Sequence, residues 1–167
     1  MTADPVFAAM TPTLLPPCDT DMLPARRTQN GPRACVSVRV YPEYRAALDE
    51  FTFSSQVTGK TAFQRYEVLE FLMAELLTNA GRRGVVRRIA EQPLAHQQNK
   101  PRTPRVMLAA RIRPEYMRGL QLALDAALDI DLTTLERYHV LEYVLTPLMT
   151  DAGQQQTLNA LLRLSSR

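Results

Sequence analysis

Apolar and polar residues alternate from Ala34 to Val40, with Val36, Val38 and Val40 on one face and Cys35, Ser37 and Arg39 on the other. A period of two predicts a short β-strand, too short to be stable alone. Pro42 then opens a helix, Glu43 sits where a helix dipole favours an acid, and Tyr44, Ala47, Leu48 and Phe51 recur at helical spacing. Val57-Thr58-Gly59-Lys60 breaks that rhythm. A second helix is expected from Lys60 or Thr61, with Phe63, Val68, Leu69, Leu72, Met73, Leu76 and Leu77 as its apolar face. Asn79-Ala80-Gly81 reads as its end, with Gly81 as a left-handed cap. Gly84 to Gln92 suggests a further short helix with Val85, Val86 and Ile89 inward and Arg82, Arg83, Arg87 and Arg88 outward.

The same rhythm returns after a linker, Pro93 to Pro104. Val106 to Ile112 is the second predicted strand, with Leu108, Ala110 and Ile112 inward and Met107, Ala109 and Arg111 outward. Pro114 opens a helix carrying Tyr116, Leu120, Leu124 and Leu128, and Asp129-Ile130-Asp131-Leu132 is its turn. Thr133 is expected to cap or open the next helix, which carries Leu135, Val140, Leu141, Val144, Leu145 and Leu148. Pro147 should kink or shorten it, and Gly153 should close it. Leu158, Leu161 and Leu162 suggest one more short helix.

The two stretches align without a gap at a shift of 114 − 42 = 72 residues, and 17 of 50 paired positions from Pro32 to Gly81 are identical. Chance gives about one in fifteen to twenty, so the chain reads as an internal duplication of a β-α-α unit.

With 167 residues, 46% of them apolar, the chain can build one compact domain. Residues 1–31, with five prolines and no periodicity, read as a flexible arm whose Arg26 and Arg27 could touch a phosphate backbone. Residues 32–92 form the first unit with its short helix, 93–104 the linker, and 105–167 the second unit with a C-terminal helix. The two units are expected to share one core. No apolar run approaches the roughly 20 residues of a membrane span, and the N-terminus lacks a secretory pattern, so a cytoplasmic protein without membrane contact is expected. Cys18 and Cys35 are too few for a disulfide framework or a zinc site.

Charge changes the picture more. The net charge is +3, but Arg82 to Arg113 holds eight arginines and one lysine against Glu91, which gives 9 − 1 = +8 and leaves −5 elsewhere. Such a band fits either a polyanionic partner or a solvated basic linker.

Two lone strands satisfy their backbone groups most simply by pairing antiparallel over the four helices. The bare face of that ribbon then carries Ser37, Arg39 and Arg111. A two-stranded ribbon fits the major groove of B-DNA, where arginine contacts guanine bidentately.

On the Arg-x-x-Pro-Glu-Tyr spacing of Arg39 to Tyr44 and Arg111 to Tyr116, with a strand before it and two helices after it, the chain resembles the ribbon-helix-helix DNA-binding family, here as a tandem repeat in one chain. Single-chain tandem forms are similar to TraY-type accessory proteins of conjugative plasmids and to the overdrive-binding accessory protein of T-DNA transfer. The resemblance implies a mainly α fold with a short antiparallel ribbon, an intramolecular pseudo-dimer. It implies base reading by Cys35, Ser37, Arg39, Met107, Ala109 and Arg111. It also implies phosphate contact by Lys60, Thr61 and Arg65 in the first unit and by Thr133, Thr134 and Arg137 in the second, with Arg33 and Arg105 at the strand entrances. Exposed helix-start amides suit such an anion. The second unit departs from the pattern. Ala109 offers only an apolar contact, and Asp129 and Asp131 would repel a phosphate, so an asymmetric target is expected. Double-stranded DNA is the implied partner, with a relaxase or another DNA-processing protein beside it and a second copy of the chain on the DNA as a further option. The setting would be DNA transfer or transcriptional repression.

Other readings of the same residues are blander. Arg39 and Arg111 could be solubilising charges, Tyr66 and Tyr138 core aromatics, and Glu70 and Glu142 bundle salt bridges or surface acids. His139 reads as a surface or packing residue, and His96 lies in the linker. With no nucleophile, metal-ligand or glycine-rich phosphate motif, neither catalysis nor a cofactor is expected. The alternative function is a helical protein-interaction adaptor in which the ribbon merely joins the repeats.

Overall fold

The structure is a computed structural model that describes residues 31–57, 63–91 and 104–166. It is mostly helical, with one short two-stranded antiparallel sheet. The first half runs β1 (Ala34–Val40), α1 (Pro42–Val57), α2 (Arg65–Leu72), a 3-10 turn (Ala74–Leu77) and α3 (Asn79–Glu91). The second half runs β2 (Val106–Ile112), α4 (Pro114–Leu128), α5 (Arg137–Leu145), a 3-10 turn (Thr146–Met149) and α6 (Asp151–Ser165). Each element of the second half starts 72 residues after its counterpart, from 106 − 34 = 72 for the strands to 151 − 79 = 72 for the last helices. The arm (1–30), the turn at Thr58 to Lys60 with Thr61, and the linker from Pro93, with His96, lie outside the described residues.

The strands pair in full register, Ala34 with Ile112 through Val40 with Val106. At the centre Ser37 faces Ala109, and because 109 − 37 = 72 each of the two faces its own counterpart. Cys35 pairs with Arg111 and Arg39 with Met107, so the two ends of the ribbon exchange roles about that centre. The inward residues Val36, Val38, Val40, Leu108 and Ile112 are buried and Ala110 is half-buried, as the alternation predicts.

The helices cross over beneath the ribbon. α2 packs on β2, and α5 packs on β1, so each half covers the strand of the other. Tyr44, Leu48, Tyr116, Leu120, Leu69 and Leu141 are almost fully buried in one core. Burying each such side chain contributes about 1.5–3 kcal/mol, and much of that is gained only when both halves are present. On α4, Gly119 lies against the first 3-10 turn. A methyl group there would come within 2.7 Å of the Leu76 carbonyl oxygen, so the close helix approach requires glycine.

Several expectations need correction. α2 and α5 begin at Arg65 and Arg137, four residues after Thr61 and Thr133. Their starts are held by Gln64 and Glu136, whose amides donate to Glu67 Oε2 (2.7 Å) and His139 Nδ1 (2.9 Å). Leu135 therefore precedes α5 rather than lying on it. Gly81 and Gly153 do not close helices; they sit in the first turns of α3 and α6. Thr78 and Thr150 are the real signals. Their hydroxyls accept the Gly81 and Gly153 amides at 2.8 and 3.1 Å, as helix N-caps do. A Cβ at either glycine would fall about 2 Å from the carbonyl oxygen of Glu75 (2.0 Å) or Pro147 (1.9 Å). Pro147 does not set the break in its helix either, because Glu75 occupies the same 3-10 position. Leu128 is exposed, and Gly119, Ala123 and Ala127 line the buried side of α4 in its place. Asp131 ends α4 in the left-handed region (φ 58°), with the Leu132 amide bonded back to the Ala127 carbonyl at 2.9 Å.

Candidate nucleic-acid interface

All six outward ribbon residues, Cys35, Ser37, Arg39, Met107, Ala109 and Arg111, are exposed on one face. The guanidinium groups of Arg39 and Arg111 make no hydrogen bond or ion pair with any described residue, and they stand at opposite ends of the ribbon. Ser37 Oγ lies 2.9 Å from Met107 Sδ, next to the centre.

Behind the ribbon, matched arginines stack on matched tyrosines. Arg33 covers the Tyr66 ring at 3.6 Å, and Arg105 covers Tyr138 at 3.8 Å and Tyr41 at 4.6 Å. Both arginines are half-buried at the strand entrances, so the tyrosines serve as platforms as well as packing.

The remaining phosphate candidates differ between the halves. Arg65 is ion-paired with Asp49 and reaches the Ala109 carbonyl at 3.4 Å. Arg137 occupies the equivalent place, but its partner at 3.2 Å is the neutral Gln121, and no carboxylate among the described residues pairs with it. Thr133 and Thr134 are exposed in the turn before α5, as are Asp129 and Asp131. Lys60 and Thr61 lie outside the described residues. An open groove of about 880 Å³ runs between β1 and the start of α5, lined by Ser37, Arg39, Tyr41, Arg105, Arg137 and Tyr138 among others. Three arginines against Glu136 make it a place for an anion.

The described arginines of the basic band are spread over different elements. Arg82 bonds the Leu76 carbonyl (2.9 Å) and Arg88 pairs with Glu75 (2.7 Å). Arg83 and Arg87 are exposed on α3, which packs mainly on α4 and the first 3-10 turn, and Arg111 lies on the ribbon itself.

Glu70 and Glu142 are not surface acids, and Glu70 makes the expected bundle salt bridge, with Arg113 at 3.1 Å. Each is buried and binds the backbone amide that precedes the first helix of the other half. Glu70 Oε1 accepts from the Arg113 amide at 2.8 Å, and Glu142 Oε1 accepts from the Tyr41 amide at 3.0 Å. Arg113 also donates from Nε to Glu70 Oε2 at 3.1 Å. Sequence reasoning gave Arg113 no role. The only available signal was the identity of Glu70 and Glu142 under the shift, because a backbone partner leaves no mark in a sequence. Burial pushes the Tyr116 hydroxyl up to about 12, and the hydroxyl accepts from Arg113 at 3.1 Å. Burial also lowers His139, against the pull of Glu136, and its Nδ1 accepts from the Glu136 amide at 2.9 Å.

Among the described residues no group of three or more His, Cys, Asp or Glu side chains could hold a metal, and no helix is long and apolar enough to cross a membrane. Compared with protein-family models, curated proteins and solved structures, the chain finds no match in any of the three.

Proposed function

We propose that this chain binds double-stranded DNA by laying its two-stranded ribbon in the major groove, and that it is a single-chain ribbon-helix-helix pseudo-dimer built from a tandem repeat. The observation that carries this reading is the outward face. Six small or flexible side chains stand clear of the core there, with Arg39 and Arg111, which pair with no described residue, placed symmetrically about the Ser37–Ala109 centre. A surface that maps onto itself by a two-fold exchange of residues is what an isologous dimer has, here within one chain. The crossed packing of α2 on β2 and α5 on β1 supports the same reading. Arg33, Arg105 and Arg137 flank the ribbon where phosphates would run. By analogy of fold, the work is that of a DNA-transfer accessory factor, beside a relaxase or similar enzyme, or of a transcriptional repressor.

A second reading, the protein-interaction adaptor, draws on Phe53, Leu128 and Ile130, which are exposed at 66%, 59% and 52% away from the ribbon.

Fluorescence anisotropy on a random duplex pool separates the two. DNA binding predicts affinity that falls steeply with salt and weakens in the Arg39→Ala/Arg111→Ala variant. An adaptor predicts no binding at low salt, or none that depends on these arginines.

A further inference from the structure

We propose that the ribbon reads a short, imperfectly palindromic site: two G·C pairs of opposite orientation about four base-pair steps apart, around an unsymmetrical centre. This inference rests on the DNA-binding reading and specifies its target.

The register supplies the spacing. Arg39 stands two positions from the Ser37–Ala109 pair in one direction, and Arg111 stands two positions from it in the other. Four residue steps along an antiparallel strand cover about 13 Å. Base pairs rise about 3.4 Å, so the two guanidiniums span about four steps. They are held on different strands of the ribbon and related by exchange about its centre, so they meet guanines on opposite DNA strands. An exposed arginine on the ribbon offers guanine O6 and N7 its two-pronged donor set, which no other type of side chain on this face has.

The centre cannot be read symmetrically. Ser37 both donates and accepts hydrogen bonds, whereas Ala109 opposite it offers only a methyl group, suited to a thymine methyl. The flanks differ as well, with a thioether beside Arg39 and a thiol beside Arg111. The two arginines make the outer G·C pairs palindromic, and the Ser37–Ala109 pair makes the centre unsymmetrical.

Selection from a random duplex pool tests this with the full chain as wild type, Arg39→Ala, Arg111→Ala, Arg39→Lys and Ser37→Ala. All these positions are exposed, and unchanged thermal unfolding would show that folding is intact. Wild type should enrich the two opposed G·C pairs, with a loss of about 5- to 150-fold when either is exchanged. Each arginine-to-alanine variant should lose discrimination at one pair and keep it at the other. Arg39→Lys should keep more affinity than Arg39→Ala but lose discrimination at the same pair, because lysine lacks the fork. Ser37→Ala should make the enriched centre symmetric. Sites without the two pairs, or single variants that erase both preferences at once, overturn the proposal. If binding is salt-sensitive and arginine-dependent but enriches no sequence, the target proposal fails while DNA binding stands. If no duplex is bound, both fall.

Discussion

Glu70 and Glu142 occupy equivalent places under the ribbon but have different surroundings. Glu70 is bound by both the amide and the side chain of Arg113. The residue equivalent to Arg113 in the other half is Tyr41, so Glu142 receives only an amide. Arg105 approaches it no closer than 3.9 Å, and its Oε2 has no hydrogen-bond partner. Burial, with Glu43 nearby, raises the Glu142 pKa, against the pull of the Tyr41 amide and Arg105. One position thus holds a complete ion pair in one half and an under-compensated carboxylate in the other. The shared element is the bond to the backbone amide, which ties each half to the other. The counterion is what differs.

The largest expected effect follows from that contrast. Glu70→Ala removes the buried carboxylate that holds the Arg113 amide and the closer of that arginine's two acids, leaving Glu115 at 3.7 Å, and should cost about 3 kcal/mol in urea unfolding. Glu142→Gln keeps the acceptor for Tyr41, removes an unfavourable charge, and should be neutral or mildly stabilising at pH 7. Equal losses at the two positions would break the comparison.

Next come the positions where the halves should behave alike. Gly81→Ala and Gly153→Ala each drive a methyl group into a 3-10 carbonyl and should lower stability by similar amounts, about 1–3 kcal/mol or more. Very different thermal shifts would show that the two turns are not equivalent.

The pH dependence sharpens the difference. A raised carboxyl pKa in the folded state means that Glu142 favours folding when protonated, so its contribution is present in acid and lost as pH rises through the folded value. The advantage of Glu142→Gln over wild type should therefore be greatest at neutral pH and shrink as pH falls towards the ordinary carboxylate range. His139 runs the other way. Its pKa is lowered, so its contribution is present above about 6.5 and lost as pH falls. Removing it by His139→Gln should flatten that arm. Unfolding midpoints measured from pH 4.5 to 8 read both slopes.

The smallest effect is expected at the left-handed Asp131. Asp131→Gly relieves backbone strain and should add a few tenths to about 1 kcal/mol.

These features were unequally legible in the sequence. The strands could be read to the residue, because alternation over seven positions admits one inward set, and both proline helix starts were equally plain. The starts of α2 and α5 were misplaced because Thr61 and Thr133 are better cap types than the Gln64 and Glu136 that do the capping. Gly81 and Gly153 were misread because a glycine required by a neighbouring carbonyl looks like one required by a left-handed turn. Thr78 and Thr150, three residues earlier, were the better guide. At the candidate site, the six outward residues followed directly from strand period. The tethering of Arg65 by Asp49, the freedom of Arg137 and the crossed glutamates did not, because each depends on contacts between elements far apart in the chain.

The outward face of the ribbon is the proposed DNA contact, and Cys35 is exposed on that face. In a Cys18→Ser variant it is the single thiol, and its alkylation rate can be followed with and without duplex DNA. Alkylation should be slow in the complex at low salt and return to full rate when salt releases the DNA. A chain that binds duplex while Cys35 reacts as fast as in the free protein would contradict the proposed contact.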